Sequence, residues 1–273
     1  MRRSDLDIVG TSFDEDDNAT KTVSSGSDTT YQAGLVVDLD SDDRFSVFGV
    51  YSTSFFPNGG GLDREGRVIP PQSAEGIDVG LRFSLMENKL TGSLTYFDIT
   101  RENIANRVQD PDTNEVFAVI SGEEESTVFE LEMYYNPTEN WQWIASLGMQ
   151  DPTIVNRPAL PELEGFAGID TYDGAASLFT SYLFTEGAAK GLRLGAGISW
   201  RDEGSLAESF ATAFKRTESH TVGNITVSYD FEMFGTDSNV SLFVDNATDE
   251  FFYERQFTFG EMRRYRLSWR MNF

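Results

Sequence analysis

Hydrophobic and polar residues alternate over most of this chain, which is the pattern of β-strands with two different faces. In residues 76–85, for example, Ile77, Val79 and Leu81 fall on one face, and polar residues or glycine fall on the other. Twelve stretches alternate in this way: 5–13, 30–39, 45–55, 76–85, 90–100, 127–136, 141–150, 172–184, 191–201, 223–231, 239–245 and 265–273. The pattern predicts about a dozen antiparallel strands, most of them long enough to cross a membrane at a tilt.

The connections between these stretches alternate in length. Short turns are predicted at 40–44, 86–89, 137–140, 185–190 and 232–238. Long connections are predicted at 57–73, 101–125, 151–171, 202–219 and 246–261. Outer-membrane barrels have this asymmetry, with short periplasmic turns and long extracellular loops, whereas a β-sandwich mixes its loop lengths. The sequence therefore predicts an all-β fold, an antiparallel transmembrane β-barrel.

The last stretch has the most regular pattern. One face carries Tyr265, Leu267, Trp269, Met271 and Phe273, and polar residues occupy the positions between them. In a soluble protein such an edge would promote aggregation. In a barrel, the apolar face of this strand would contact lipid, and its polar face would line the lumen.

Composition narrows the class of protein. Mean hydropathy is −0.35, and no stretch approaches the roughly 18 to 20 apolar residues of a membrane-spanning helix. A helical membrane protein is therefore excluded, but a barrel is not, because half of each strand is polar. Aromatic residues make up 13% of the chain, which suits strands and the girdles at a membrane interface. Cysteine is absent, so no disulfide or thiolate metal site is expected.

The formal net charge of −24 makes nucleic acid an unsuitable partner, since phosphate binding needs clustered Lys and Arg. Acidic residues concentrate at 14–17, 40–43 and 123–125, which we interpret as solvated loops or turns. Calcium binding is the alternative, although no run follows the EF-hand pattern.

Residues that carry out chemistry are scarce. The single histidine, His220, has no partners at the spacing of a zinc or catalytic site, and it is predicted to lie in a loop or at a strand end. We therefore expect no enzymatic activity, no catalytic residues, no metal site and no cofactor.

Two stretches near the end carry a family resemblance. Residues 240–255 contain Asn246, Thr248 and Asp249 in an Asn-x-Thr-Asp motif, and residues 259–273 contain Gly260 and Arg263 in a Gly-x-x-Arg stretch before the last strand. Together they resemble the end of TonB-dependent outer-membrane receptors. Residues 51–57, Pro70, Pro71, Glu75, Gly80 and 97–103 are similar to the siderophore-receptor branch of that family.

The resemblance implies a barrel of about 22 strands enclosing an N-terminal plug, which takes up ferric siderophores or similar solutes with energy from the TonB complex. Compared with that pattern, we expect residues 1–273 to include no signal peptide, no plug and no TonB box, and to supply about half the strands. We therefore expect residues 1–273 to be the C-terminal part of the barrel domain, with the TonB complex acting only through the missing plug. The expected location is the outer membrane of a Gram-negative bacterium, in contact with its lipid.

The alternating face formed by Tyr265, Leu267, Trp269, Met271 and Phe273 also resembles the signal that the barrel-assembly machinery recognises in its substrates. That machinery is therefore an expected partner.

Two other interpretations remain open at the level of sequence. One is a self-contained barrel of about twelve strands, either porin-like or an autotransporter translocator. The other is a secreted acidic β-sandwich that binds carbohydrate or calcium.

Overall fold

The computed structural model describes residues 2–13, 19–56, 58, 63–65, 67, 69–109, 116–158, 160–168, 171–205, 215–255 and 258–272. Its strands are β1 (Arg2–Phe13), β2 (Ala19–Thr30), β3 (Gln32–Asp38), β4 (Phe45–Phe56), β5 (Gln72–Leu85), β6 (Leu90–Gln109), β7 (Val116–Thr138), β8 (Trp141–Asn156), β9 (Gly174–Leu183), β10 (Leu192–Arg201), β11 (His220–Met233), β12 (Thr236–Asp245), β13 (Tyr253–Arg255), β14 (Thr258–Phe259) and β15 (Arg264–Met271). Two short 3-10 helices lie at Pro161–Leu163 and Gly187–Ala189. Within the described ranges, no helix has the length and apolar character needed to cross a membrane.

One antiparallel sheet dominates the fold. Eleven of the described strands pair in the order β15-β12-β11-β10-β9-β8-β7-β6-β5-β4-β3. Every step up to β12 joins strands that are neighbours in the sequence, so the sheet is a simple meander. Only β15 departs from this rule, because the β13–β14 hairpin is inserted before it pairs with β12. A second hairpin, β1–β2, forms its own two-stranded sheet.

The sheet is a single layer with two unlike faces. Its register aligns Val79, Tyr96, Phe129 and Met149 in one row across β5 to β8, and these apolar side chains are all exposed. On the other face, the register aligns Glu132, Ser146, Ser177 and Ser199 across β7 to β10. We call these the apolar face and the polar face.

The hydrophobic core is correspondingly small. Among the described residues, the buried hydrophobic side chains are Ile69, Ala118, Ile154 and Leu163. A water-soluble sheet of this size would bury one face against a second layer. Exposed apolar rows are instead what a lipid environment requires, and the predicted two-faced barrel wall is confirmed.

The predicted turns are found at the expected places, although those predicted at 137–140 and 232–238 are shorter than expected. The turns at 86–89, 139–140 and 234–235 are short and lie at the same end of the sheet. At the last of these, Phe234 and Gly235 both have positive φ, 57° and 76°, as in a type I′ hairpin turn. The long connections lie at the opposite end, which we call the long-loop end.

One predicted connection is wrong over most of its length. Residues 101–125 were expected to form a loop, but β6 continues to Gln109 and β7 begins at Val116. Likewise, β8 continues to Asn156. These extensions do not alternate regularly between apolar and polar residues: β7 begins with five apolar residues, 116–120, and continues with three glutamates, 123–125. Backbone pairing between neighbouring strands nevertheless continues through them.

The two edges of the sheet, β3 and β15, run in the same direction, because nine strands lie between them and every pairing is antiparallel. Direct pairing of β3 with β15 would therefore be parallel. A fully antiparallel closure needs an odd number of additional strands to join these edges, which argues against this sheet closing on itself as a small barrel.

The assignment of faces can be tested at two neighbouring residues of β9. Leu178 lies near the middle of the strand on the apolar face, and Ser177 lies on the polar face. We expect Leu178→Arg to lower the free energy of unfolding in lipid bilayers by about 2–4 kcal/mol, since a charge near the bilayer midplane is costly. Ser177→Arg is the matched control and should cost much less. Equal losses in urea titrations of the two variants would contradict the assignment.

Candidate functional site at the long-loop end

The predicted motif residues meet where the chain leaves β12 and returns into β15. Asn246 follows β12 directly and is buried, with 3% of its surface exposed. Its φ of 49° is left-handed, a conformation that asparagine tolerates better than most residues. The chain can therefore turn sharply here while the side chain points inward.

At this turn, hydrogen bonds of the Asn246 side chain replace the backbone hydrogen bonds of the β-ladder. Its Nδ2 donates hydrogen bonds to the carbonyl oxygens of Glu250, at 2.7 Å, and Glu261, at 2.9 Å. Its Oδ1 accepts from the Glu250 N–H at 2.9 Å and from the Thr248 hydroxyl at 3.2 Å. One amide thus joins the start of the connection after β12 to its end before β15.

The same turn is tied to the next strand. The backbone N–H of Asn246 donates to Asn224 Oδ1 at 3.0 Å, and that of Ala247 donates to the Gly223 carbonyl. The Gly223 N–H in turn donates to the Thr248 hydroxyl at 3.1 Å. Backbone groups that the end of the β11–β12 ladder leaves unpaired are satisfied in this way.

Gly260 and Phe252 form a second contact in the connection. The Gly260 N–H donates to the Phe252 carbonyl at 2.9 Å. A Cβ at position 260 would overlap the Phe252 ring, so only glycine fits without displacing it. Phe252 also stacks on His220, with ring centroids 3.9 Å apart and planes 14° apart.

Charged residues surround this connection. Arg263 lies 3.6 Å from Asp249, and Arg264 contacts both Asp245 and Glu261 at 3.0 Å. The structure therefore brings together Asn246, Thr248, Asp249, Gly260 and Arg263, although no direct contact joins Gly260 to Arg263 in the described part of the chain.

The guanidinium of Arg216 joins the neighbouring connections through ion pairs. Arg216 contacts Asp173 at 2.5 Å and Glu203 at 2.8 Å. Its hydrogen bond to Asp173, with the nearby carboxylates, raises the pKa of the guanidinium above its usual value. Two isolated bridges, Tyr172 with Gly204 and Ser205 with Arg216, align the same segments. Arg216 thus fixes the segment that leads into β11.

Two cavities open beside the stacked pair. The polar groove has about 420 Å³ and lies on the polar face; its lining includes Glu130, Glu132, Ser146, Ser177, Ser199, Arg201, His220, Phe252 and Glu254. The aromatic cavity has about 810 Å³ and is lined by Arg216, Thr217, Glu218, Ser219, His220, Glu250, Phe251, Phe252, Tyr253 and Phe259. Since His220 and Phe252 line both, their stack separates the two cavities.

The predicted assembly residues lie apart from these cavities. Tyr265, Leu267 and Trp269 are exposed on the apolar face of β15, with Met271 on the same face at its end. Phe273 lies outside the described residues. His220 is the first residue of β11, as predicted for a strand-end histidine. Sequence reasoning missed the roles of Arg216 and Phe252, because their partners lie far away along the chain.

No metal centre is formed by the described side chains: nowhere in the described ranges do three or more His, Cys, Asp or Glu residues converge on one point. The acidic run at 40–43 lies instead in a turn, where Asp40 pairs with Arg44 at 2.7 Å. Desolvation of the carboxyl group would raise the pKa of Asp40, but the hydrogen bonds from Arg44 and from the Phe45 N–H, with the charge of Arg44, lower that pKa below its usual value. Residues 14–17 lie outside the described residues.

Known proteins are similar to this chain in sequence. A sequence model of the family described as "TonB dependent receptor-like, beta-barrel" matches residues 3–247. The metal-pseudopaline receptor CntO of Pseudomonas aeruginosa is 24% identical over 232 residues, which cover 83% of this chain and 31% of the receptor. The ferrichrome outer membrane transporter/phage receptor of Escherichia coli K12 is 26% identical over 209 residues, 76% of this chain and 27% of the transporter.

Solved structures are similar in fold. The ferric-catecholate import receptor Fiu from Escherichia coli K12 superposes with a TM-score of 0.74 at 20% identity, covering 94% of this chain and 37% of the receptor. The ferric preacinetobactin receptor BauA from Acinetobacter baumannii gives 0.73 at 18% identity, with 93% and 37% covered. The chain thus spans about a third of the length of the relatives that it matches.

The importance of the Asn246 amide can be measured directly. Asn246→Ala removes two donors and an acceptor from a buried site, leaving backbone groups of Glu250 and Glu261 unpaired. We expect the free energy of unfolding to fall by about 2–4 kcal/mol. Asn246→Asp should also destabilise the protein, because it sets a carboxylate oxygen against two carbonyl oxygens.

Asn140→Ala is the matched control. Asn140 lies at the short-turn end, where its amide donates one hydrogen bond to the Thr185 hydroxyl. That exposed bond should contribute less than about 1 kcal/mol. If urea titrations gave the same loss for the variants at 140 and 246, the Asn246 network would not stabilise the turn as argued.

Proposed function

Because the chain belongs to the β-barrel family of TonB-dependent receptors, we propose that residues 1–273 form part of the wall of a receptor that takes up a ferric siderophore or a similar metal complex. The protein is located in the outer membrane of Gram-negative bacteria, as its family is. The observation that carries the proposal is the family match over residues 3–247, on a sheet with one apolar and one polar face.

In this proposal, the apolar face and the polar face of the sheet have different roles. The apolar face contacts the lipid of the outer membrane, and the polar face lines the path of the solute. The cavities at the long-loop end lie where a solute arriving from outside first meets the barrel. The two relatives named above are a receptor for metal-pseudopaline and a transporter for ferrichrome, and these names support a metal-complex solute.

The relatives are transport receptors rather than enzymes, and we propose the same for this chain. In the family, uptake is coupled to the TonB complex. We propose that the coupling reaches this wall through a plug domain inside the barrel, and that nucleic acid is no partner, since the net charge is −24.

The two alternatives receive no support. A β-sandwich needs a second layer over one face, and the described sheet is a single layer. A small self-contained barrel would need its two edges to pair, and they run in the same direction.

Uptake can be measured in the source bacterium under iron limitation. A strain without the gene and a strain with the gene restored are given radioactive iron as ferric hydroxamate, catecholate and mixed-ligand siderophores. We expect at least one complex to accumulate only with the gene, and only while TonB is intact. Identical accumulation of every complex in the two strains would contradict the proposed function.

We also propose that the barrel-assembly machinery recognises β15 through Tyr265, Leu267, Trp269, Met271 and Phe273. Deleting Phe273, or changing Trp269 to Ser, should lower the amount of folded protein in the outer membrane several-fold. Ser268→Ala, on the polar face of the same strand, is the matched control and should have little effect. Unchanged surface levels in the first two variants would refute this role.

A further inference from the structure

The aromatic cavity has walls made of rings that contact each other. Phe251, Tyr253 and Phe259 have centroids 4.9–5.8 Å apart, and each is at least 45% exposed. Phe252 closes the cavity on the side of the polar groove. A volume of about 810 Å³ is in the range of cavities that hold small molecules.

The polar groups of the cavity are mainly carboxylates. Glu218 and Glu250 line it, and neither carboxylate forms an ion pair with a described Lys or Arg. The guanidinium in the lining, Arg216, already contacts two carboxylates outside it, Asp173 and Glu203. The described lining of the cavity thus contains two carboxylates and a guanidinium that is already paired outside it.

The neighbouring polar groove has the same sign of charge. Glu130, Glu132 and Glu254 line it, and its guanidinium, that of Arg201, lies over the ring of Tyr172 at 4.8 Å. Among the described lining residues of the two cavities, five carboxylates thus stand beside two guanidinium groups. A polyanion in these cavities would meet repulsion, whereas a cation would meet attraction.

We propose that the aromatic cavity selects ferric complexes that carry a positively charged group, and that it discriminates against polyanionic ones. The ring faces of Phe251, Tyr253 and Phe259 attract a cation through their quadrupoles. Glu218 and Glu250 supply the compensating charge. This inference rests on the proposed function, because it names the class of solute that the same receptor takes up.

The test compares three ferric complexes that differ in charge. Ferrioxamine B is a ferric trihydroxamate whose chain ends in an ammonium group, and its N-acetylated form is the same complex without that charge. Ferric enterobactin is a polyanionic tricatecholate. Dissociation constants are measured by fluorescence quenching with the protein extracted from the outer membrane in detergent.

Ferrioxamine B should bind about tenfold or more tightly than its N-acetylated form at low salt, and the ratio should shrink as salt is added. Replacing both Glu218 and Glu250 with Gln should reduce the ratio towards one. Glu139→Gln, in a turn at the opposite end of the sheet, is the matched control and should leave the ratio unchanged.

Equal binding of the ferrioxamines, or tighter binding of ferric enterobactin, would overturn the charge selection and leave the receptor function standing. Failure of all three complexes to bind would also overturn the charge selection, and it would overturn the receptor function as well if accumulation of iron in the strains described above were independent of the gene. Circular dichroism of the double variant shows whether it is folded. If it is not folded, the ratio of the two ferrioxamine dissociation constants in the unaltered protein tests the charge selection by itself.

Discussion

The constraint on which the rest of the structure depends is that each backbone N–H and C=O facing lipid must be hydrogen-bonded inside the protein. A meander of antiparallel strands meets this need with the fewest connections, and ten successive pairings do so here, from β3 to β15. Because the backbone is satisfied within one layer, the side chains are free to differ between the faces. The apolar rows, the polar rows and the nearly absent core all follow from that single requirement.

Where the ladder ends, side chains have to replace it. The connection after β12 is the clearest example, since the Asn246 amide satisfies the carbonyls of Glu250 and Glu261 while Asn224 and Thr248 satisfy its neighbours. The same hydrogen bonds position the connection after β12, so that Phe252 lies beside Gly260. The stack on His220, which separates the two cavities, is therefore held by the same contacts that return the chain to β15.

Alternation was enough to predict the membrane part of the sheet, because a strand between lipid and lumen has no other way to arrange its side chains. It identified both faces of β5 and the short turn that follows it. The extended ends of β6 and β7 were not predictable in this way, since residues 101–109 and 116–125 do not alternate between apolar and polar. The β1–β2 hairpin shows the same limit: residues 19–30 carry no apolar face that would reveal β2.

The candidate site was predictable only in part. A local motif located Asn246, Thr248 and Asp249, because the turn that they build is contained within a few residues. The partners of Arg216 lie 43 and 13 residues away, and no local pattern could have paired them. The same holds for the sign of the charge around the cavities. A net charge of −24 says nothing about position, but folding sets Glu218 and Glu250 beside aromatic rings while Arg216 is neutralised elsewhere. The proposed selection of solutes by charge therefore depends on tertiary structure. The sheet that supports the cavities, in contrast, can be predicted from the alternation of apolar and polar residues within single strands.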